Sequence, residues 1–161
     1  MGTNISHNRF VMTGKIAASG NVNSLLEEDE ETARTMSLAG KNSCYISMFS
    51  NCSSLTQAPE LPAIYIGEWC YSSMFEGCTS LTQAPELPVK ILKDNCYNKM
   101  FYNCTELNYI KVGFKKWSPS SATYNWLPEN TGTFECQQEL INNTSERTKN
   151  TVPSSWTMTA V

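Results

Sequence analysis

Cysteines, one histidine and a run of acidic residues are the side chains of this sequence best suited to catalysis or metal binding. Six of the seven cysteines form pairs eight residues apart, and the pairs recur at a regular interval: Cys44 and Cys52, Cys70 and Cys78, and Cys96 and Cys104. Structural zinc sites instead gather their ligands as closely spaced CxxC-type pairs. The spacing therefore favours small apolar side chains buried in columns over a metal site. We predict no metal and no cofactor.

The single histidine, His7, lies in an amino-terminal stretch that we expect to be flexible. A Ser-His-acid triad or a Cys-His dyad needs a histidine fixed beside a nucleophile, and nothing near His7 indicates one. The five carboxylates at residues 27–31 are potential ligands for a hard cation. They lack the glycine and the alternating ligand spacing of a calcium loop, which favours a solvated acidic loop. The sequence therefore predicts a protein that is not an enzyme.

Length and charge exclude further classes. A chain of 161 residues suggests one domain. A net charge of −3 without a long basic run argues against a nucleic-acid partner. No stretch approaches the roughly 18 consecutive apolar residues of a membrane helix, and residues 1–10 lack the apolar core of a signal peptide. We expect no membrane insertion.

Internal repeats position the cysteines. Residues 44–62 read CYISMFSNCSSLTQAPELP and residues 70–88 read CYSSMFEGCTSLTQAPELP, with 15 of 19 positions identical. A third, decaying copy, CYNKMFYNCTELNYIKV, occupies residues 96–112. Repeats of this length are supersecondary units that bury their apolar faces by stacking on one another. We predict an α/β solenoid in one domain, with an amino-terminal part at 1–43, repeats at 44–112 and a carboxyl-terminal cap at 113–161.

The first nine residues of each copy predict a short helix. At 100° per residue, the apolar side chains of Cys70, Tyr71, Met74, Phe75 and Cys78 fall within one arc of about 140°. The position before the second cysteine holds Asn51, Gly77 or Asn103, residue types that tolerate a left-handed cap. The predicted core has five columns: Phe49, Phe75 and Phe101; Met48, Met74 and Met100; Cys44, Cys70 and Cys96; Cys52, Cys78 and Cys104; and Leu55, Leu81 and Leu107.

The second half of each copy predicts extended chain. Leu81, Ala84 and Leu87 recur at every third residue, while Pro85 and Pro88 force an extended path and remove amide donors. We expect short, interrupted parallel strands. A further extended piece at 63–69 and 89–95 leads into the next helix.

The flanking regions predict end caps. Residues 9–26, with their glycine turns, are typical of a β-hairpin. Residues 37–43 fit the end of a degenerate earlier repeat. Ser118 followed by Pro119 is typical of a helix start. Residues 137–150 are polar and lack periodicity, which predicts a mobile loop, and residues 152–161 predict a terminal strand.

The repeated CYxxMFxxCxSLTxAPELP motif resembles one branch of the BspA-like leucine-rich-repeat surface proteins of gut and oral anaerobic bacteria. FVMTGKIAASGNVNSLL, TGTF and VPSSWTM resemble the flanking caps of that branch, whereas residues 136–150 depart from it. The resemblance implies a leucine-rich-repeat-like solenoid, adhesion to host proteins, and a cell-surface or extracellular location without catalytic residues. Members usually carry an export or lipoprotein signal, which this sequence lacks.

The same geometry predicts mostly free thiols. Eight residues of helix span about 12 Å, whereas the Cα atoms of a disulfide lie about 4.4–6.8 Å apart. Bridging within a copy is therefore excluded. Along the column of Cys52, Cys78 and Cys104, neighbours about 4.8 Å apart could bridge, so one or two disulfides stay possible, with Cys136 as a fourth partner.

Recognition is expected where the copies differ, because packing already accounts for the shared positions. These positions include Ile46, Trp69, Lys99 and Tyr102. Exposed aromatic side chains on a rigid scaffold are suitable interface anchors, although Trp69 could equally pack on the adjacent turn. We predict an adhesin-like module that binds a protein ligand. The alternative is a carbohydrate-binding domain that uses the same aromatics to bind a glycan.

Overall fold

The computed structural model describes residues 14–148 and 150–161. Its strands are β1 (Ile16–Ala17), β2 (Leu55–Gln57), β3 (Tyr109–Lys111), β4 (Gly132–Cys136) and β5 (Trp156–Ala160). Its helices are α1 (Glu30–Thr35) and α2 (Gln138–Asn142), with 3-10 turns at Val22–Leu25 and Thr144–Glu146. The strands form two parallel sheets, β1-β2 and β3-β4-β5.

Backbone hydrogen bonds join each copy to the next in a repeating pattern. The Phe49 amide donates to the Met74 carbonyl at 2.9 Å, and the Phe75 amide donates to the Met100 carbonyl at 3.0 Å. The amides between these positions bond within their own copy, as in the 3.0 Å bond from Cys78 to Phe75. About half of the amides thus close local turns and the rest stack the copies, so that the two sets together satisfy the buried backbone donors.

The helix predicted for the first nine residues of each copy is wrong. Residues 43–51, 69–77 and 95–103 form runs of turns, here called the turn ribbons. Left-handed φ angles recur at their odd-numbered positions, for example 59° at Tyr45 and 61° at Tyr71. An α-helix needs negative φ throughout and spends its amides on its own carbonyls. The turn ribbons contain positive φ angles, and about half of their amides donate to carbonyls of a neighbouring copy.

The left-handed conformation predicted before the second cysteine is confirmed, with φ angles of 62° at Asn51, 74° at Gly77 and 60° at Asn103. It ends a turn ribbon rather than a helix. A Cβ atom at Gly77 would lie 2.5 Å from Oδ1 of Asn51. Glycine therefore suits the positive φ, and an added Cβ would also have to displace the Asn51 side chain of the preceding copy.

Aromatic rings stack in two columns through the core. The rings of Phe49 and Phe75 are 5.5 Å apart, and those of Phe75 and Phe101 are 5.6 Å apart, all nearly parallel. A second column joins Tyr45, Tyr71 and Tyr97 at 5.8 and 6.3 Å. Of the predicted core columns, all members are buried except Cys44 and Met48, which are half-buried.

The extended halves of the copies pair only in part. Leu55, Leu81 and Leu107 are fully buried beneath them. Gln83 bridges to Tyr109 and Leu87 bridges to Val112, both in parallel. The β1-β2 sheet remains separate from the β3-β4-β5 sheet. The prolines of the two APELP segments explain the interruption, since they offer no amide to a neighbouring strand.

The β-hairpin predicted for residues 9–26 is wrong within its described part. Strand β1 pairs in parallel with β2, and the chain then enters the 3-10 turn Val22–Leu25. An antiparallel return strand is missing from residues 14–26. Residues 9–13 lie outside the described residues. Strand β2 belongs to the first copy, and it offers the amides of this segment the same kind of pairing that the copies use among themselves.

Stacking continues after the repeat sequence has decayed. The Tyr97 amide donates to Ala122 and the Phe101 amide donates to Trp126, both at 2.8 Å. Residues 120–125 form turns, so the helix predicted after Ser118 is wrong. Strands β4 and β5 extend β3 in register, with Phe134 beside Ile110.

The carboxyl-terminal segment, residues 137–161, differs in part from the prediction. The loop predicted at 137–150 contains helix α2, which buries Leu140, so that prediction is wrong. One buried leucine per short helix is a weak periodic signal, and the surrounding polar residues conceal it. The terminal strand predicted at 152–161 is confirmed as β5.

Replacing Phe75 with alanine should destabilise the protein by about 3–5 kcal/mol, because the fully buried ring loses both stacked neighbours and leaves a cavity. Chemical denaturation measures the change. Phe75→Leu, which keeps most of the volume, should cost clearly less. An unchanged denaturation midpoint in Phe75→Ala would contradict the stacked core.

Gly77→Ala should destabilise more than Gly40→Ala. Both glycines have positive φ, at 74° and 72°, but a Cβ at Gly40 meets nothing within 4 Å. The difference between the two variants isolates the contact with Asn51. Asn103→Gly keeps the left-handed conformation and should change stability by a few tenths of a kcal/mol. Equal losses in the two alanine variants would show that Asn51 does not restrict this position.

Candidate functional site

The predicted binding residues lie at separate places. Trp69 is 43% exposed at the start of the second turn ribbon, and Tyr102 is 38% exposed near the end of the third. Ile46 and Lys99 are half-buried within the ribbons. Of the five main cavities in the described part of the chain, none is lined by both Trp69 and Tyr102. Trp69 thus lies at the start of one ribbon and Tyr102 near the end of the next, and both are more exposed than Ile46 and Lys99.

The segments that lead into turns are grouped here as the connector edge. Residues 37–43, 63–69 and 89–95 lead into the three turn ribbons and are joined by backbone hydrogen bonds, and residues 113–119 lead into the turns at 120–125. The Leu38 amide donates to the Tyr65 carbonyl at 2.9 Å, and the Lys90 amide donates to Ile64 at 3.2 Å. A Cβ atom at Gly67 would lie 2.6 Å from the Lys41 carbonyl oxygen, so only glycine permits this approach. The connector edge therefore has closely packed backbone layers.

Exposed apolar side chains concentrate on this edge. Of the nine large apolar side chains exposed among the described residues, four lie on two of its segments: Ile64, Tyr65, Trp69 and Ile91. Tyr65 and Ile91 are 47% and 60% exposed and occupy equivalent positions in successive connector segments. Ile64, Tyr65 and Ile91 are not among the binding residues predicted from the sequence. The sequence did contain a signal for an exposed apolar side chain here. Ile64, Tyr65 and Ile66 are consecutive, and in an extended chain neighbouring side chains point to opposite sides, so they cannot all be buried on one face.

The connector edge is also basic. Its four segments contain five lysines and two carboxylates, Glu68 and Asp94. Their formal net charge is therefore +3, whereas that of the whole chain is −3. The lysines are Lys41, Lys90, Lys93, Lys115 and Lys116, all exposed. Lys115 pairs at 2.7 Å with Glu139, which lies outside the edge, so the charge left unpaired there is +2. The edge thus combines apolar anchors with positive charge.

Thiols of the cysteine columns donate hydrogen bonds to backbone carbonyls of the preceding copy. The thiol of Cys78 donates to the Phe49 carbonyl at 3.1 Å, and the thiol of Cys104 donates to the Phe75 carbonyl at 3.0 Å. The seven cysteines, all within the described residues, form no disulfide. Burial raises the pKa of the thiols of Cys96 and Cys104 to about 12. A thiol held protonated is a poor nucleophile and a poor metal ligand, so Cys78 and Cys104 act as buried hydrogen-bond donors.

The acidic run contributes to a helix end rather than to the predicted solvated loop. The Asp29 side chain accepts a hydrogen bond from the Thr32 amide at 2.8 Å, which lowers the pKa of Asp29 and caps α1. Glu30 pairs with Arg34 at 3.0 Å. The predicted loop is therefore replaced by the first turn of α1, because a capping aspartate followed by acidic residues favours a helix amino terminus.

Neither the single histidine nor a metal-binding cluster lies among the described residues. His7 lies outside them. Across residues 14–148 and 150–161, no three His, Cys, Asp or Glu side chains are grouped to hold a metal ion. In the same part of the chain, no helix has the length and apolar character needed to cross a membrane.

Comparison of the chain with protein-family models, with curated proteins and with solved structures gave no match. The surfaces described above are therefore the basis for a functional assignment.

The free energy of unfolding should fall as the pH rises from about 9 towards 12. The folded state holds buried thiols protonated, since their pKa values of about 12 exceed the unfolded value of about 9, so it binds more protons in this range. The stabilisation is complete below pH 9 and is lost as pH approaches 12. Cys96→Ala should reduce the slope by up to about 1.4 kcal/mol per pH unit.

Urea denaturation at a series of pH values measures this slope. Met100→Leu, which changes the same core without adding or removing a titrating group, should keep the wild-type slope. A stability independent of pH above 9 would contradict the buried, protonated thiols.

Proposed function

We propose that this protein is a non-catalytic, adhesin-like module that binds an extracellular or host protein at the cell surface. Its architecture is that of a leucine-rich-repeat-like solenoid, in keeping with its resemblance to the BspA-like surface proteins. The observation that carries the proposal is the connector edge, where exposed apolar side chains and an excess of lysines share a packed backbone.

This combination suits a protein ligand. Interface hot spots are enriched in tyrosine and tryptophan, which gain most when a partner surrounds and desolvates them. Tyr65 and Trp69 offer such side chains, and Ile91 adds apolar area in the next segment. The residues lie on stacked backbone, so binding needs little ordering of the module.

The charge of the edge selects among protein ligands. Five lysines less Glu68, Asp94 and the Glu139 paired with Lys115 leave the edge a charge of +2, which attracts an acidic surface. Complementary charges raise the association rate and fix the orientation of a partner. The proposed ligand is therefore a protein with an acidic patch around exposed apolar residues. Ile46 and Lys99, which are half-buried in the turn ribbons, are not part of this surface.

The double variant Tyr65→Ser/Ile91→Ser should weaken binding at least about tenfold, because interface anchors of this kind contribute about 1–2 kcal/mol or more each. Lys90→Glu/Lys93→Glu makes the charge of the edge negative, so it should mainly slow association and should reverse its salt dependence. Surface plasmon resonance against immobilised extracellular-matrix proteins of graded isoelectric point measures both effects.

Tyr124→Ser is the matched control, since Tyr124 is as exposed as Tyr65, both at 47%, but lies outside the connector edge. It should bind like the wild type. The proposal fails if no acidic extracellular protein binds, or if the connector variants bind as tightly as the control.

A further inference from the structure

A groove of about 550 Å³ lies at the other end of the turn ribbons, between the third copy and the segment that follows it. Tyr102 and Asn103 line one side, and Asn125 and Glu129 line the other. Leu127, only 4% exposed, contributes a buried apolar part of the lining. Its volume is within the range of small-molecule sites.

This groove is specific to one junction of the stack. The position of Tyr102 holds Ser50 and Glu76 in the two earlier copies, so the aromatic ring occurs in the third copy alone. Asn130 takes the position that Cys104 has in the third copy. The groove therefore forms where the repeat sequence changes.

Asn130 holds the groove in shape. Its Nδ2 atom donates to the carbonyl of Thr105 at 3.0 Å and to that of Leu107 at 2.5 Å. These bonds tie the segment carrying Glu129 to the third copy. A groove fixed in this way loses little entropy when a ligand binds.

The polar side chains of the groove are available to a ligand. The side chains of Asn103 and Glu129 are exposed and that of Asn125 is half-buried, so all three can reach a ligand in the groove. Each asparagine offers two donors and one acceptor oxygen, and the carboxylate offers acceptors. No lysine or arginine of the described residues lines the groove, and Glu129 disfavours an anion.

We propose that this groove binds a neutral carbohydrate through the face of Tyr102 and the side chains of Asn103, Asn125 and Glu129. Neighbouring hydroxyl groups of a sugar each donate and accept, so one ring can satisfy amide and carboxylate groups together. The apolar C–H face of the sugar packs on the tyrosine ring. A peptide backbone offers one amide and one carbonyl per residue, a lower density of hydrogen-bonding groups than the hydroxyl groups of a sugar ring.

The carbohydrate site does not depend on the connector edge. Tyr102 lies near the end of its ribbon, whereas the connector segments lead into the start of each ribbon. Failure of one proposal therefore leaves the other standing, and a single preparation of the protein tests both.

A glycan array with neutral, sialylated and sulfated oligosaccharides tests the proposal, followed by titration of the bound glycan. The wild type should bind neutral glycans, Tyr102→Ala should lose at least tenfold in affinity, and Tyr102→Phe should keep most of it because the ring remains. Glu129→Gln should weaken binding less than Tyr102→Ala, since the amide keeps one acceptor.

Two controls separate this site from the rest of the surface. Tyr124→Ala, an exposed tyrosine that does not line the groove, and Tyr65→Ser/Ile91→Ser should both bind glycan like the wild type. Binding to acidic glycans alone, binding unchanged by Tyr102→Ala, displacement of the glycan only by short peptides, or no glycan binding at all would overturn the proposal.

Discussion

The structure depends on the backbone hydrogen bonds that join each copy to the next, such as those from Ser47 to Ser72 and from Ser73 to Asn98. They require an amide to point along the stack at every second position of the turn ribbon. A right-handed helix directs every amide along its own axis and cannot supply this pattern. Left-handed φ angles at the odd-numbered positions, such as 54° at Ser47 and 52° at Ser73, reverse the peptide direction and make the stacking possible.

A fixed layer spacing then decides which side chains the core accepts. Side chains at equivalent positions of successive copies pack on one another at a distance of about one layer. Flat rings and small thiols fit this spacing. The tyrosine column shows how strongly this rule acts, because the hydroxyl groups of Tyr71 and Tyr97 are buried without a partner among the described residues. The Tyr45 hydroxyl instead donates to Val22 at 3.2 Å. An unpaired buried hydroxyl costs about 1–3 kcal/mol. Burial of the whole ring, about 1.5–3 kcal/mol, together with about 0.5–1.5 kcal/mol for each stacked neighbour, offsets that cost in the later copies.

The repeats in the sequence predict which side chains are buried and where a left-handed residue lies. They do not predict the backbone conformation of the ribbons, which depends on main-chain hydrogen bonds. The recurrence of Phe75 and Cys78 in each copy predicts their buried columns, and the exchange of Gly77 for asparagine predicts its left-handed conformation. The predicted helix is wrong because the angular spacing of five apolar residues ignores where their amides bond. The stacking of Ala122 and Trp126 leaves no trace in the sequence, since main-chain bonds need no shared side chains.

The same distinction governs the candidate surfaces. Comparing the copies singles out Trp69 and Tyr102, which are exposed, but also Ile46 and Lys99, which the ribbon half-buries. It misses Ile64, Tyr65 and Ile91 of the connector segments, because residues between the copies are aligned for their buried members only. Because main-chain hydrogen bonds hold the stack together, the type of side chain at an exposed position is not restricted by packing in any copy. Chemistry can therefore change from one layer to the next, as it does where Glu76 gives way to Tyr102, without altering the scaffold that presents it.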